Sequence, residues 1–254
     1  MDAGIPTQKI HDFSGRVFPY LPCPPVILKL RDDNPILRKS LHENEKEKLD
    51  SYRLPKRRRE YLTGRICVKN VVAAVFEAKG FPPFPHNRIE TVILDNGRPV
   101  IRLHPPADFS PPEISISHSK GLAAAMASFS PCGIDLQKID KQLLRVKEKF
   151  CSASEYEILN QITPADEQTA LTLIWCAKEA IQKRFGHRTM PLFSEILLKN
   201  GFQEKKKSCC LQLVFSLAEK YRCQTDVTVA ATTFSGYALA LTTDTSPHFS
   251  RTLC

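Results

Sequence analysis

The chain lacks the features that would carry it into a membrane. No unbroken apolar run is longer than that of residues 122–127, far short of the roughly 20 residues a spanning helix needs. Residues 1–16 hold no apolar stretch, so no signal peptide is expected there. Paired cysteines are missing too. The nine cysteines stand singly apart from Cys209-Cys210, without a CxxC, and the seven histidines show no zinc-ligand spacing. An odd, unpaired set fits reduced thiols better than a disulfide framework, and a cytoplasmic location is expected. A Walker A loop, a dinucleotide glycine fingerprint and an H-E-x-x-H pair are all absent, which leaves those enzyme classes without support. Acidic residues are in deficit, 27 against 36 Lys and Arg, so the net charge of +9 calls for an anionic partner.

What is present describes a folded protein. With 42% hydrophobic and 25% charged residues over 254 positions, the chain can bury a core as one large domain or two smaller ones. Residues 1–40 are rich in proline and are expected to form an extended arm. Beyond residue 42 the pattern turns helical, and a second helix is expected over about 56–79. There Tyr61, Leu62, Val68, Val71, Val72, Val75 and Phe76 recur at helical spacing, ahead of Gly80 and two prolines. Asp95-Asn96-Gly97 between β-prone segments signals a hairpin. Strands are expected at 114–118, 122–129 and 134–136, a helix over 155–161, and a long helix over 167–185 following Pro164. Further strands are expected at 195–199, 211–217, 227–234 and 237–243. The architecture expected is α+β: a pseudo-twofold duplication of two similar halves, 41–132 and 133–254. Each half would be a long helix packed on a small, mostly antiparallel sheet, with the active site in the cleft between them.

Three segments could carry chemistry. Trp175, Glu179 and Lys183 lie four apart and share a helix face. Such a pair is commonly a solvated feature beside a core tryptophan, but it also suits a carboxylate and an ammonium at the edge of a cleft. In Gly133-Ile134-Asp135-Leu136-Gln137-Lys138, glycine permits close backbone approach, and Asp135 and Gln137 share one strand face. An aspartate near a turn is more often turn chemistry. Ser115-Ile116-Ser117-His118-Ser119 puts a histidine at a strand end, where a structural role is the commoner one.

In this order and at this spacing, the three segments resemble the signatures of the Sfp-type 4′-phosphopantetheinyl transferases. Those enzymes prime carrier proteins from coenzyme A, and their signatures are N-I-S-H, G-[IV]-D-x-E and W-x-x-K-E-[AS]-x-x-K. Lys149 to Tyr156 is similar to the family's F-x-S-x-x-E segment, Gly97-Arg98-Pro99 to its G-K-P turn, and Glu45 to Lys48 to its E-[KR]-x-R stretch. Tyr61 to Arg65 also matches a G-R feature of its first long helix.

The resemblance implies Mg²⁺-dependent (Mn²⁺ is an alternative) transfer of 4′-phosphopantetheine from coenzyme A to a serine of an apo acyl or peptidyl carrier protein, with release of 3′,5′-ADP. It implies metal ligation by Asp135, Glu179 and Gln137, and catalysis by Glu179 and Lys183. Coenzyme contacts are implied for Lys48, Asn96, Gly97, Arg98, Ser115, Ser117, His118, Lys178 and Lys183. Gln137 stands where many members carry an acid, Ser115 where many carry Asn, and Arg98 where lysine is usual. A monomer without membrane or nucleic-acid partners is expected. Two alternatives stand beside this one: a basic nucleic-acid-binding protein, suggested by Lys56-Arg57-Arg58-Arg59, and a family member that binds coenzyme A without transferring.

Overall fold

The computed structural model describes Phe18, Leu21 and residues 23–243, apart from 164, 187–189, 204–209 and 222–225. Residues 1–17 of the expected arm and Pro164 lie outside the described residues. The α+β expectation is borne out by helices packed on three antiparallel sheets.

The first sheet orders β1 (Val26–Lys29), β5 (Leu122–Ser128) and β4 (Glu113–Ser119), with β5 central. The residues expected as an arm up to position 40 therefore include a paired strand, and a short helix α1 (Pro35–Lys39) follows it. Val26, Ile27 and Leu28 are buried on β5. Four residues after a proline pair give no periodicity of their own, so the partner strand supplies the order. A β2 (Ile89–Ile93)–β3 (Pro99–Leu103) hairpin forms a separate two-stranded sheet, turned at the expected Asn96-Gly97.

Helix α2 (Glu43–Ser51) opens with a capping box between His42 and Glu45. Helix α3 (Pro55–Ala78) then lies on β5, β1 and β4. Its fully buried Leu62, Cys67, Val68, Val71 and Val72 meet Ala123 and Ala125 of β5. Alanines suit this central strand because the helix covers one of its faces and the second half of the molecule covers the other.

A second helix-backed sheet is built from the strands after residue 131. A five-stranded sheet runs β6 (Cys132–Lys138), β10 (Tyr237–Thr243), β9 (Val227–Phe234), β8 (Leu211–Leu217) and β7 (Ile196–Gln203). Helix α4 (Ala153–Ile162) starts at a Ser152/Glu155 capping box, and α5 (Glu167–Phe185) packs on β6, β10 and β9. Between the two helix-backed cores lies a third cluster that includes Ile27, Ala124 and Met126 from one side and Ile134, Leu136 and Leu239 from the other. It joins the halves.

One buried device occurs in both halves. Glu45 holds Lys69 of α3 at 2.7 Å and accepts the Thr91 N–H of β2. Glu155 holds Lys178 of α5 at 2.8 Å and accepts the Leu198 N–H of β7. All four side chains are almost wholly buried, where each charge needs its partner.

Candidate active site

The edge strands β4 and β6 face each other across the junction of the halves, and three alternate serines of β4 join them. Ser115 Oγ accepts the Ile134 N–H at 3.0 Å, Ser117 Oγ the Leu136 N–H at 3.1 Å, and Ser119 Oγ the Lys138 N–H at 2.8 Å. Period-two alternation puts all three on one face, and burial there obliges the β6 N–H groups to find acceptors. Ser115 and Ser117 were expected to contact the coenzyme; both are buried, 3% and 5% exposed, and their oxygens serve the β6 backbone instead. Serine keeps a short polar acceptor at position 115, and that is what the β6 N–H requires.

Two of these serines also reach the side chains of β6. Ser117 Oγ donates to Asp135 Oδ1 at 2.7 Å, and Ser119 Oγ to Gln137 Oε1 at 3.3 Å. From the far side, the Lys183 ammonium of α5 donates to Asp135 Oδ1 at 2.8 Å, to Ile134 O at 3.0 Å and to Ile116 O at 3.3 Å. The helix comes this close because residue 133 is glycine: a Cβ there would fall 1.9 Å from the Ala180 carbonyl oxygen and 2.9 Å from the Arg184 nitrogen.

Glu179, one turn before Lys183, is half-buried on the same helix. Loss of solvent and the negative charge of Asp135 hold its carboxyl above the usual glutamate range, against the opposing pull of Lys183. Cys176 is wholly buried beside Asp135, and burial together with that carboxylate keeps its thiol protonated. Asp135 and Glu179 offer carboxylate oxygens and Gln137 an amide oxygen, a hard donor set of the kind Mg²⁺ prefers. By its chemistry this donor set fits a divalent ion.

His118 stands at the end of β4. One edge of its ring lies against α3, where a Cβ on Gly64 would come 2.5 Å from Nε2, while the residue as a whole is exposed. Loss of solvent on the packed side, with Arg65 and Lys183 nearby, outweighs the attraction of Glu60 and lowers the imidazole pKa. The ring is therefore favoured in its neutral form.

The other predicted residues are spread more widely. Asn96 and Gly97 form the β2–β3 turn, where Asn96 Oδ1 accepts the Arg98 N–H. The Arg98 guanidinium is paired with Glu113 at the start of β4. Lys48 is exposed on α2, its ammonium 5.5 Å from the Tyr52 ring. Lys178 is the clear departure. It is 1% exposed and bound to Glu155 and the Phe193 carbonyl, so it faces the core of the second half and not the cleft. Consecutive helical residues point about 100° apart, so with Glu179 toward the junction its neighbour turns inward.

A cavity of about 700 Å³ opens between the halves. Lys29, Lys56 and Arg59 line it from the first half, Phe234 and Tyr237 from the second. None of the predicted site residues lines it. The basic run beside it is largely engaged: Lys56 and Arg57 approach Glu60, Arg58 reaches Asp33 and Asp50, and Arg59 reaches Asp32. Sequence reasoning named Ser119 in its motif without giving it a role, and it missed Cys176. The period-two serine pattern could have pointed to the first, whereas the position of Cys176 beside Asp135 comes only from helix–sheet contact.

Residues 131–242 match the family model of the 4′-phosphopantetheinyl transferase superfamily. The 4′-phosphopantetheinyl transferase psf-1 of Bacillus pumilus is 30% identical over 130 residues, 50% of this chain and 50% of that protein. The chain thus spans about half the length of the curated relative it matches. The matched family segment contains β6 and α5, and with them Asp135, Glu179 and Lys183.

Proposed function

We propose that this chain, a member of the 4′-phosphopantetheinyl transferase superfamily through residues 131–242, transfers 4′-phosphopantetheine from coenzyme A to a serine hydroxyl of an apo acyl or peptidyl carrier protein. The observation that carries the proposal is the convergence of Asp135, Glu179 and Lys183 at the β4–β6 junction. In this proposal the halves 41–132 and 133–254 are a duplicated unit with the site in the cleft between them. The recurrence of Glu45–Lys69 as Glu155–Lys178 supports that arrangement.

Asp135, Glu179 and Gln137 would hold Mg²⁺ or Mn²⁺. The bound ion supplies charge neutralisation on the diphosphate and Lewis-acid polarisation of its oxygens. Ser117 fixes the Asp135 carboxylate through its 2.7 Å hydrogen bond. The carrier serine attacks the phosphorus joined to pantetheine, its proton passes to a Glu179 carboxylate oxygen, and 3′,5′-ADP leaves. Glu179 takes the role of base from the match of its helix to the family's signature, and it stands half-buried beside Asp135. Lys183, a quarter exposed, gives up its longest hydrogen bond, 3.3 Å to Ile116 O, to turn that N–H toward the phosphoryl oxygens as negative charge gathers there. Neutral His118 hydrogen-bonds the nucleotide, while Lys48 and Arg98 neutralise its phosphates. Arg98 exchanges Glu113 for phosphate as it does so.

The test incubates the protein with apo carrier, coenzyme A and Mg²⁺ and weighs the carrier by mass spectrometry. A gain of one phosphopantetheine is expected. Binding of coenzyme A without a gain on acyl, peptidyl or aryl carriers would leave a family member that binds but does not transfer. Oligonucleotide binding that ignores added coenzyme A would favour the nucleic-acid alternative.

A further inference from the structure

Away from the β4–β6 junction, three side chains from separate segments converge on the first half. His42 caps α2, Glu90 lies on β2, and His104 follows β3. One potential ligand atom from each lies within 4.8 Å of the other two. The two imidazoles stack with centroids 4.3 Å apart and planes 19° apart, and His104 Nε2 stands 2.8 Å from Glu90 Oε2.

Glu90 is only 5% exposed. A carboxylate so placed is costly unless its oxygens are engaged. Asn44 Nδ2 donates to Oε1 at 2.8 Å, which orients the group and leaves Oε2 toward the histidines. The cation nearest to Oε2 is Arg102, at 3.5 Å on a side chain 60% exposed, so it can withdraw into solvent. A neutral imidazole has one nitrogen lone pair to give a metal.

We propose that His42, Glu90 and His104 form a divalent-metal site of the Zn²⁺ class that clamps α2 to the β2–β3 hairpin. Two imidazole nitrogens and one carboxylate oxygen are a donor set suited to zinc, with water as a fourth ligand. They differ in kind from the all-oxygen set at Asp135, so the two sites select different metals. Asn44 acts as the outer partner that fixes the carboxylate. Binding gives up the long 3.3 Å hydrogen bond from the Asn44 N–H to His42 Nδ1, whereas the His42 N–H keeps Glu45 Oε2 at 3.0 Å.

The experiment strips the full-length protein with chelator and titrates it with Zn²⁺, reading affinity against a chromophoric chelator and stability by thermal melting. Co²⁺ is then used as a spectroscopic probe. Wild type is expected to take up zinc with a rise in Tm, and its Co²⁺ complex to show tetrahedral visible bands without thiolate charge transfer. His42→Asn removes the imidazole but retains a preferred N-cap side chain; it and Glu90→Gln should each weaken zinc by at least about 100-fold, more than loss of an outer partner costs. Asp135→Asn should leave it unchanged. Zinc affinity that survives His42→Asn, Co²⁺ bands dominated by thiolate charge transfer from cysteines, or no uptake by wild type would each overturn the site. If Glu90→Gln fails to fold, His104→Asn replaces it as the second variant.

Discussion

The Lys183 ammonium lies 2.8 Å from Asp135 Oδ1 while it also donates to carbonyls of β4 and β6, so one side chain ties α5 to an edge strand of each half. Asp135→Asn preserves the shape of this knot and an acceptor for Ser117, yet removes the charge. Transfer should fall by about 100-fold or more with an unchanged circular-dichroism spectrum. Lys183→Ala should slow it by a similar factor. A rate within twofold of wild type would remove the altered residue from the chemistry.

Gly133 sets the distance between β6 and α5. Gly133→Ala would drive a methyl carbon to within 1.9 Å of the Ala180 oxygen, and neither backbone can yield without moving its whole element. A loss of at least about 1–3 kcal/mol is expected, the usual cost of overpacking. Lys183 should move off Asp135 as the helix shifts, so activity should fall further than stability does. Denaturant titration paired with transfer rates checks both.

Lys178 was expected at the coenzyme, and its burial against Glu155 gives it a different task. Lys178→Met should cost about 3 kcal/mol, the low end for breaking a buried ion pair, because Glu155 retains the Ser152 and Leu198 N–H groups. The KM for coenzyme A should not change. A raised KM at undiminished stability would return Lys178 to the coenzyme.

Glu179 is held above its ordinary value of 4.5 by burial and Asp135. Its ionised form is therefore disfavoured in the folded protein, a cost absent below the unfolded value and complete once pH exceeds the folded one. Glu179→Gln should raise Tm at neutral pH, the advantage should fade as pH falls toward 4.5, and transfer should be abolished. A variant less stable than wild type at pH 7 in metal-free buffer would contradict the assigned repulsion.

Much of the fold could be read along the chain because it is written in local terms. The apolar spacing of 62–76, the Asn96-Gly97 turn and the bounds of β8, β9, β10 and α5 need only propensity and periodicity, and the structure keeps them. β1 was not legible: Val26–Lys29 is ordered by β5, which lies nearly a hundred residues away. The serines of β4 were legible as a motif but not in their task. Nothing within Ser115–Ser119 says that the opposing surface is a row of unpaired β6 N–H groups.

By itself the sequence determined which residue types could do the chemistry: two carboxylates and an ammonium, set on a strand and on one helix face by their spacing alone. Tertiary structure alone decided which of them meet. It turned Lys178 into the core and Glu179 toward the junction, and it brought Cys176 beside Asp135. It also gathered His42, Glu90 and His104 from three segments. Helical and strand periods fix a side chain's direction relative to its own backbone. Which surface it then faces depends on how elements far apart in sequence pack, and the close approach allowed at Gly133 is a clear instance.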